Sequence, residues 1–182
     1  GLEQDFNYNT MVSQRGILNL IHTDAQRDAF VRRGNAMMLN GADATLLDRE
    51  QIRAMYPWLN FDNARFPIHG GLLQPRGGTV RHDAVAWGYA RAADLRGVDL
   101  IQNCEVTGMR IENGRIRGVE TSRGFIGAKK VGGAVAGSSS KVMAHAGMRL
   151  PIESHVLQAF VSEGLKPVID GVMTFGAGHF YV

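Results

Sequence analysis

The stretch GGTVRHDAVAWGYARAADLRGVDLIQNCEV, residues 77–106, puts His82 in the first turn of a predicted helix, beside Asp83. An imidazole there is either a solvated surface residue or a site for chemistry, and its spacing assigns it no acid–base partner. His22, His69, His145, His155 and His179 show no H-x-x-x-H spacing, so no metal site is expected. The single cysteine, Cys104, excludes an internal disulfide framework and a multi-thiolate zinc site. VAGSSS places backbone N–H groups at a predicted strand-to-helix turn, where an anion can be held. The alternative there is close backbone packing that needs Gly137. GGAVAG has glycines at 132, 133 and 137, which is not the G-x-G-x-x-G phosphate fingerprint. Ser138 to Ser140 lack the G-x-S-x-G elbow and no triad is visible, which argues against hydrolysis.

The elements that must position these residues read as mixed α/β. GILNLIHT is a predicted strand. Thr23 or Asp24 caps a helix to about Leu39, with Phe30, Val31, Met37 and Met38 as candidate core residues, and Asn40-Gly41 stops it. ATLLD is a short strand, Asp48 caps a second helix, and Pro57 ends that helix. HGGLLQPRGG reads as loop around one short strand. The helix near residues 82–96 has an apolar stripe at Val85, Tyr89, Ala92 and Ala93, with Gly97 as its cap. Trp87 falls on the opposite face, as a second contact surface or a half-buried ring under a loop. Val98 to Asn103 reads as a strand. Glu105 to Glu112 and Arg115 to Thr121 flank Asn113-Gly114, a strong hairpin signal, with a possible bulge at Gly118. Phe125 to Lys129 is a third strand and Val131 to Ala136 a fourth, uncharged and expected to be central and buried. RLPIESHVLQAFVSEGL and VMTFGAGHFYV read as two more strands, pairing in another sheet with the early ones.

Composition sets the bounds. The chain has 182 residues, 45% of them hydrophobic and 20% charged, enough for one domain or two small lobes. No apolar run approaches the ~20 residues of a membrane span. The N-terminal GLEQDFNYNT lacks the basic and apolar regions of a signal peptide, so a reducing, cytoplasmic setting is expected. The net charge of +3 is mild and the arginines are scattered, which gives a nucleic-acid role little support. The end at GHFYV, inside a predicted strand, reads as a piece of a larger polypeptide.

Several stretches together resemble the D-amino-acid-oxidase-like superfamily of FAD-dependent amine oxidases. Within it they are similar to the sarcosine oxidase β-subunit family. The stretches are QDFNYN…SQRGILNLIHT, HGGLLQPRGGTVRHDAVAWGYARAADLRGVDLIQNCEVTGM, GMRLPIESHVLQAFVSEGLKP and GAGHFYV. The resemblance implies covalent FMN on the histidine of RHDAVAW, which is His82, close to a contact with a large α subunit. It implies noncovalent FAD, with a backbone contact at Val106 and close approach at Gly137, Ser138 and Ser139. It implies that His179 and Tyr181 lie on a strand facing the substrate. The activity implied is oxidative demethylation of sarcosine to glycine, with electrons passing from FAD to FMN to oxygen.

The expected architecture follows. Residues 1–75 and 150–182 supply parts of a substrate domain with a mixed sheet. Residues 76–149 supply a partial Rossmann-like FAD-binding domain with a β-meander. The family's N-terminal glycine fingerprint is missing from this sequence, which removes the turn that binds pyrophosphate. Hence the isolated chain is expected to hold no FAD and to be inactive. Strands without partners would favour a homodimer. The alternatives are a noncatalytic binding module on the same fold, and an oxidase of another amine such as dimethylglycine.

Overall fold

The computed structural model describes residues 1–164 and 166–182. The chain divides into two compact units, Gly1–Gly97 with Gly164–Val182, and Val98–Glu163.

The first unit is built on a five-stranded mixed sheet. Its strands are β1 (Ile17–Ile21), β2 (Thr45–Asp48), β3 (Gly70–Gln74), β7 (Val172–Phe175) and β8 (Phe180–Tyr181), in the order β2-β3-β1-β7-β8. β1 pairs antiparallel with β3 and parallel with β7. The late strand therefore joins the early ones, as its sequence suggested. Leu18, Leu20, Met173 and Leu47 share one face and form the core with Ile52, Phe61 and Ile68. Asn19 and Thr174 lie on the other face, where the Thr174 hydroxyl donates to Asn19 Oδ1 at 3.0 Å.

Local signals set the helix ends. Thr23 caps α2 (Asp24–Leu39), its hydroxyl accepting from the Gln26 N–H at 3.2 Å. Asp48 and Gln51 form a capping box on α3 (Arg49–Met55), with both bonds at 2.8 Å. Ile52 of α3 is fully buried. In α2 the expected core residues fail: Phe30 and Met37 are half-buried, Val31 and Met38 exposed, and only Gly34 is buried. Its inner face runs Phe30, Gly34, Met37, and it meets the sheet at Gly34, where an added Cβ would lie 3.1 Å from Leu72 Cδ1.

Helix α4 (His82–Asp94) packs on α1 (Leu2–Phe6). Its buried residues are Gly88 and Ala92, and Tyr89 is exposed. The stripe is displaced because Tyr8 presses against Gly88, where an added Cβ would meet the Tyr8 ring at 2.9 Å. Trp87 is exposed.

The second unit holds the antiparallel meander β4 (Val106–Glu112), β5 (Arg115–Thr121) and β6 (Gly124–Gly127). Asn113 and Gly114 both have positive φ, 51° and 71°, as a tight two-residue turn needs. The register slips between Arg110 and Ile111, opposite Gly118 and Ile116, so the bulge read at Gly118 is present. Two predicted strands do not form. Val98–Asn103 is irregular, and Val131–Ala136 leads through a 3-10 turn at Ala136–Ser138 into α5 (Ser139–Ala144). A third, RLPIESHVLQAFVSEGL, forms no helix or strand up to residue 164; Leu165, at its end, lies outside the described residues. Val131–Ala136 is uncharged, as a central strand would be, but a strand exists only where a neighbour takes its N–H and C=O groups, and among the described residues none does so for these segments.

Candidate functional site

His82 is the first residue of α4 and is exposed. Its neighbours bridge over it. Arg81 donates to Asp83 through Nε at 3.0 Å and Nη2 at 2.6 Å. Asp83 also accepts from the Ala84 N–H at 2.9 Å. The Arg81 bond, reinforced by that N–H, holds the Asp83 carboxyl down at about 2. The same pair raises Arg81 above its ordinary range. Asp83 is therefore engaged by Arg81, which leaves the His82 ring without a carboxylate partner from its own turn.

Beside this turn runs an open groove of about 580 Å³. Val80 and Val85, which flank His82 in sequence, line it together with Tyr89, Val12, Gly78 and Arg76. Arg76 pairs with Asp43 at 2.5 Å. The His82 ring itself is not among the residues that line this groove.

The residues expected at FAD lie in the second unit. Val106 opens β4 and is half-buried. Gly137 and Ser138 lie in the 3-10 turn and Ser139 begins α5. Two of their polar groups are already engaged: Ser139 Oγ donates to the Ala136 carbonyl, and the Gly137 carbonyl accepts from Ser154 Oγ, both at 2.6 Å. A Cβ on Gly137 would meet Ser154 Oγ at 3.3 Å, so this glycine is packed by its own chain. The turn as it stands offers no open cradle for a pyrophosphate, and these residues alone do not fit FAD.

His179 has φ 53° in the turn between β7 and β8, and Tyr181 is 78% exposed. Tyr181 faces Thr174 across the strand pair, while Phe180 faces Phe175 on the opposite side. No hydrogen bond among the described residues joins His82 to His179 or Tyr181. No group of three or more metal-ligating side chains occurs among the described residues. His22 is buried just after β1, and its Nε2 has no hydrogen-bond partner among the described residues.

One unit carries a mixed sheet and a histidine exposed at a helix start, and the other a three-stranded meander. The chain belongs to the family of FAD dependent oxidoreductases, which it matches over residues 1–182. It is 77% identical over its whole length to sarcosine oxidase subunit beta of Rhizobium meliloti (strain 1021), covering 44% of that protein. It is 48% identical over its whole length to the same subunit of Rhodobacter capsulatus, again covering 44%. The chain thus spans less than half the length of these relatives. Among solved structures, L-proline dehydrogenase from P. horikoshii has the same fold, with a TM-score of 0.74 and 21% identity over 99% of this chain and 48% of that one. No helix among the described residues is long and apolar enough to cross a membrane.

Proposed function

We propose that this chain is the internal part of a flavin-dependent amine oxidoreductase of the sarcosine oxidase type. The whole-chain match to sarcosine oxidase subunit beta carries the reading. The parent activity is oxidative demethylation of sarcosine to glycine, in an assembly with an α subunit. Flavin, when bound, supplies the electron acceptance that no side chain of this protein can provide.

The chain's own contributions are positional. His82 is the attachment point for FMN, its exposed ring being free of a carboxylate partner. The N–H groups at the start of α4 sit beside it. Val106, Gly137, Ser138 and Ser139 serve FAD only once the Gly137 turn has rearranged and the missing fingerprint is supplied by further chain. His179 and Tyr181 are substrate-side candidates whose exposure leaves room for an opposing wall. The mixed sheet belongs to the substrate domain and the meander to the FAD-binding domain. The chain alone holds no FAD.

The test is intact mass with a visible absorption spectrum on the purified chain, with His82→Ala beside it. The expected result is a mass increase of one FMN and a yellow chromophore, both lost in His82→Ala. A colourless chain at its sequence mass overturns the covalent site. Stoichiometric FAD in the purified chain overturns the statement that it holds none.

A further inference from the structure

Two Asn-Gly pairs occur in the chain, Asn40-Gly41 and Asn113-Gly114. In such a pair the glycine nitrogen can attack the asparagine Cγ and close a five-membered ring. Glycine favours the attack because it has no Cβ to crowd that nitrogen. The two pairs are alike in access. Both asparagines are exposed, and a Cβ built on either glycine meets nothing within 4 Å.

Hydrogen bonding separates them. Asn40 closes α2, where its Nδ2 donates to the Ala36 carbonyl at 2.7 Å. The Gly41 N–H donates to the Met38 carbonyl at 3.0 Å. Both bonds must break before that nitrogen reaches Cγ. Asn113 and Gly114 form the turn between β4 and β5, with Glu112 paired to Arg115 across it. Among the described residues the Asn113 side chain makes no hydrogen bond, and the Gly114 N–H has no acceptor. Nothing holds the reacting atoms of this pair apart.

We propose that Asn113 is a modification site at which the folded chain deamidates selectively, while Asn40 is protected. The Gly114 nitrogen loses its proton and bonds to Asn113 Cγ. The Cγ–Nδ2 bond breaks, and the side-chain nitrogen leaves as ammonia, taking up that proton. Water then opens the ring at either carbonyl. One opening gives aspartate; the other gives isoaspartate, with the main chain running through Cβ. No oxidant or reductant is needed. Either product adds a negative charge beside Glu112, and isoaspartate lengthens a two-residue turn that sets the β4–β5 register.

The experiment follows both amides with time in mildly alkaline buffer, in the folded full chain and in the same chain unfolded by urea. Trypsin releases Asn113 in IENGR and Asn40 in GNAMMLNGADATLLDR, and fragment-ion masses assign each conversion to its residue. In urea the two are expected to react at similar rates, because the Asn-Gly sequence alone then drives both. In the folded chain Asn113 is expected to react at least about tenfold faster than Asn40, the scale of two ordinary hydrogen bonds. Asn113→Gln is expected to remove the fast conversion and leave the slow one unchanged. Equal rates at the two sites in the folded chain overturn the proposal. So does an Asn113 that reacts in urea but is preserved in the folded chain. The comparison of sites is made on the unaltered chain, so it does not depend on the folding of a variant.

Discussion

Arg81 and Asp83 grip each other across His82, and that grip has a measurable consequence. The Asp83 carboxyl sits at about 2 against an ordinary 3.8, chiefly because Arg81 donates to it. A folded value below the unfolded one stabilises the turn above the ordinary value, and the effect is lost as pH falls through about 2. A ¹³C carboxyl titration should place the Asp83 midpoint near 2, and Arg81→Gln should return it to the ordinary carboxylate range. A midpoint unmoved by Arg81→Gln would show that the ion pair does not form in solution. At this scale the sequence was partly legible. His82 could be put at a helix start because the glycines before it and the periodicity after it are local features. The contact of His22 Nδ1 with the Pro67 carbonyl could not be foreseen, because the two residues are 45 apart in the chain.

Elements were legible where their cause is local and illegible where it is remote. The caps at Thr23 and Asp48 and the turn at Asn113-Gly114 depend on a few consecutive residues, and all three are present. The bulge at Gly118 follows from the same kind of signal. Its φ is 153°, and a Cβ there would run into the Ile126 carbonyl oxygen of β6. Gly118→Ala should therefore cost about 1–3 kcal/mol and loosen the meander, seen as faster amide exchange in β5 and β6. Exchange equal to that of the unaltered chain would mean that β6 moves aside at no cost. Ile52 makes a contrasting case. It is fully buried in the core it forms with Leu18 and Leu20 under the five-stranded sheet of its own unit. Ile52→Ala should cost about 2–5 kcal/mol in urea unfolding, and the loss should fall on the sheet β2-β3-β1-β7-β8. The predicted strands at Val98–Asn103 and Val131–Ala136 failed for a different reason. An apolar run records the burial a segment is suited to, while a strand also needs a neighbour's hydrogen bonds.

For the whole molecule, the two units differ in what holds them. Every buried hydrophobic side chain among the described residues, from Leu18 to Met173, belongs to the unit with the five-stranded sheet. Within Val98–Glu163 only Gly118 is buried. A unit whose side chains are at most half-buried has little apolar burial to set against the ~1–2 kcal/mol per residue of backbone entropy lost on folding, beyond the hydrogen bonds of its meander. Two of its large apolar side chains face outward: Val156 is 94% and Phe160 86% exposed, in a segment that forms no helix or strand. Such a segment presents open N–H and C=O groups beside apolar side chains, the combination that recruits a second strand. The isolated chain should therefore self-associate. Sedimentation velocity across a concentration series should show growth beyond the monomer. Val156→Lys with Phe160→Glu should reduce that growth, because charges at both positions oppose apolar pairing while touching no buried contact. The thermal transition of the five-stranded sheet should stay where it was, since neither side chain belongs to its core. A chain that remains monomeric at every concentration would mean that the second unit covers these groups in solution by folding them against itself.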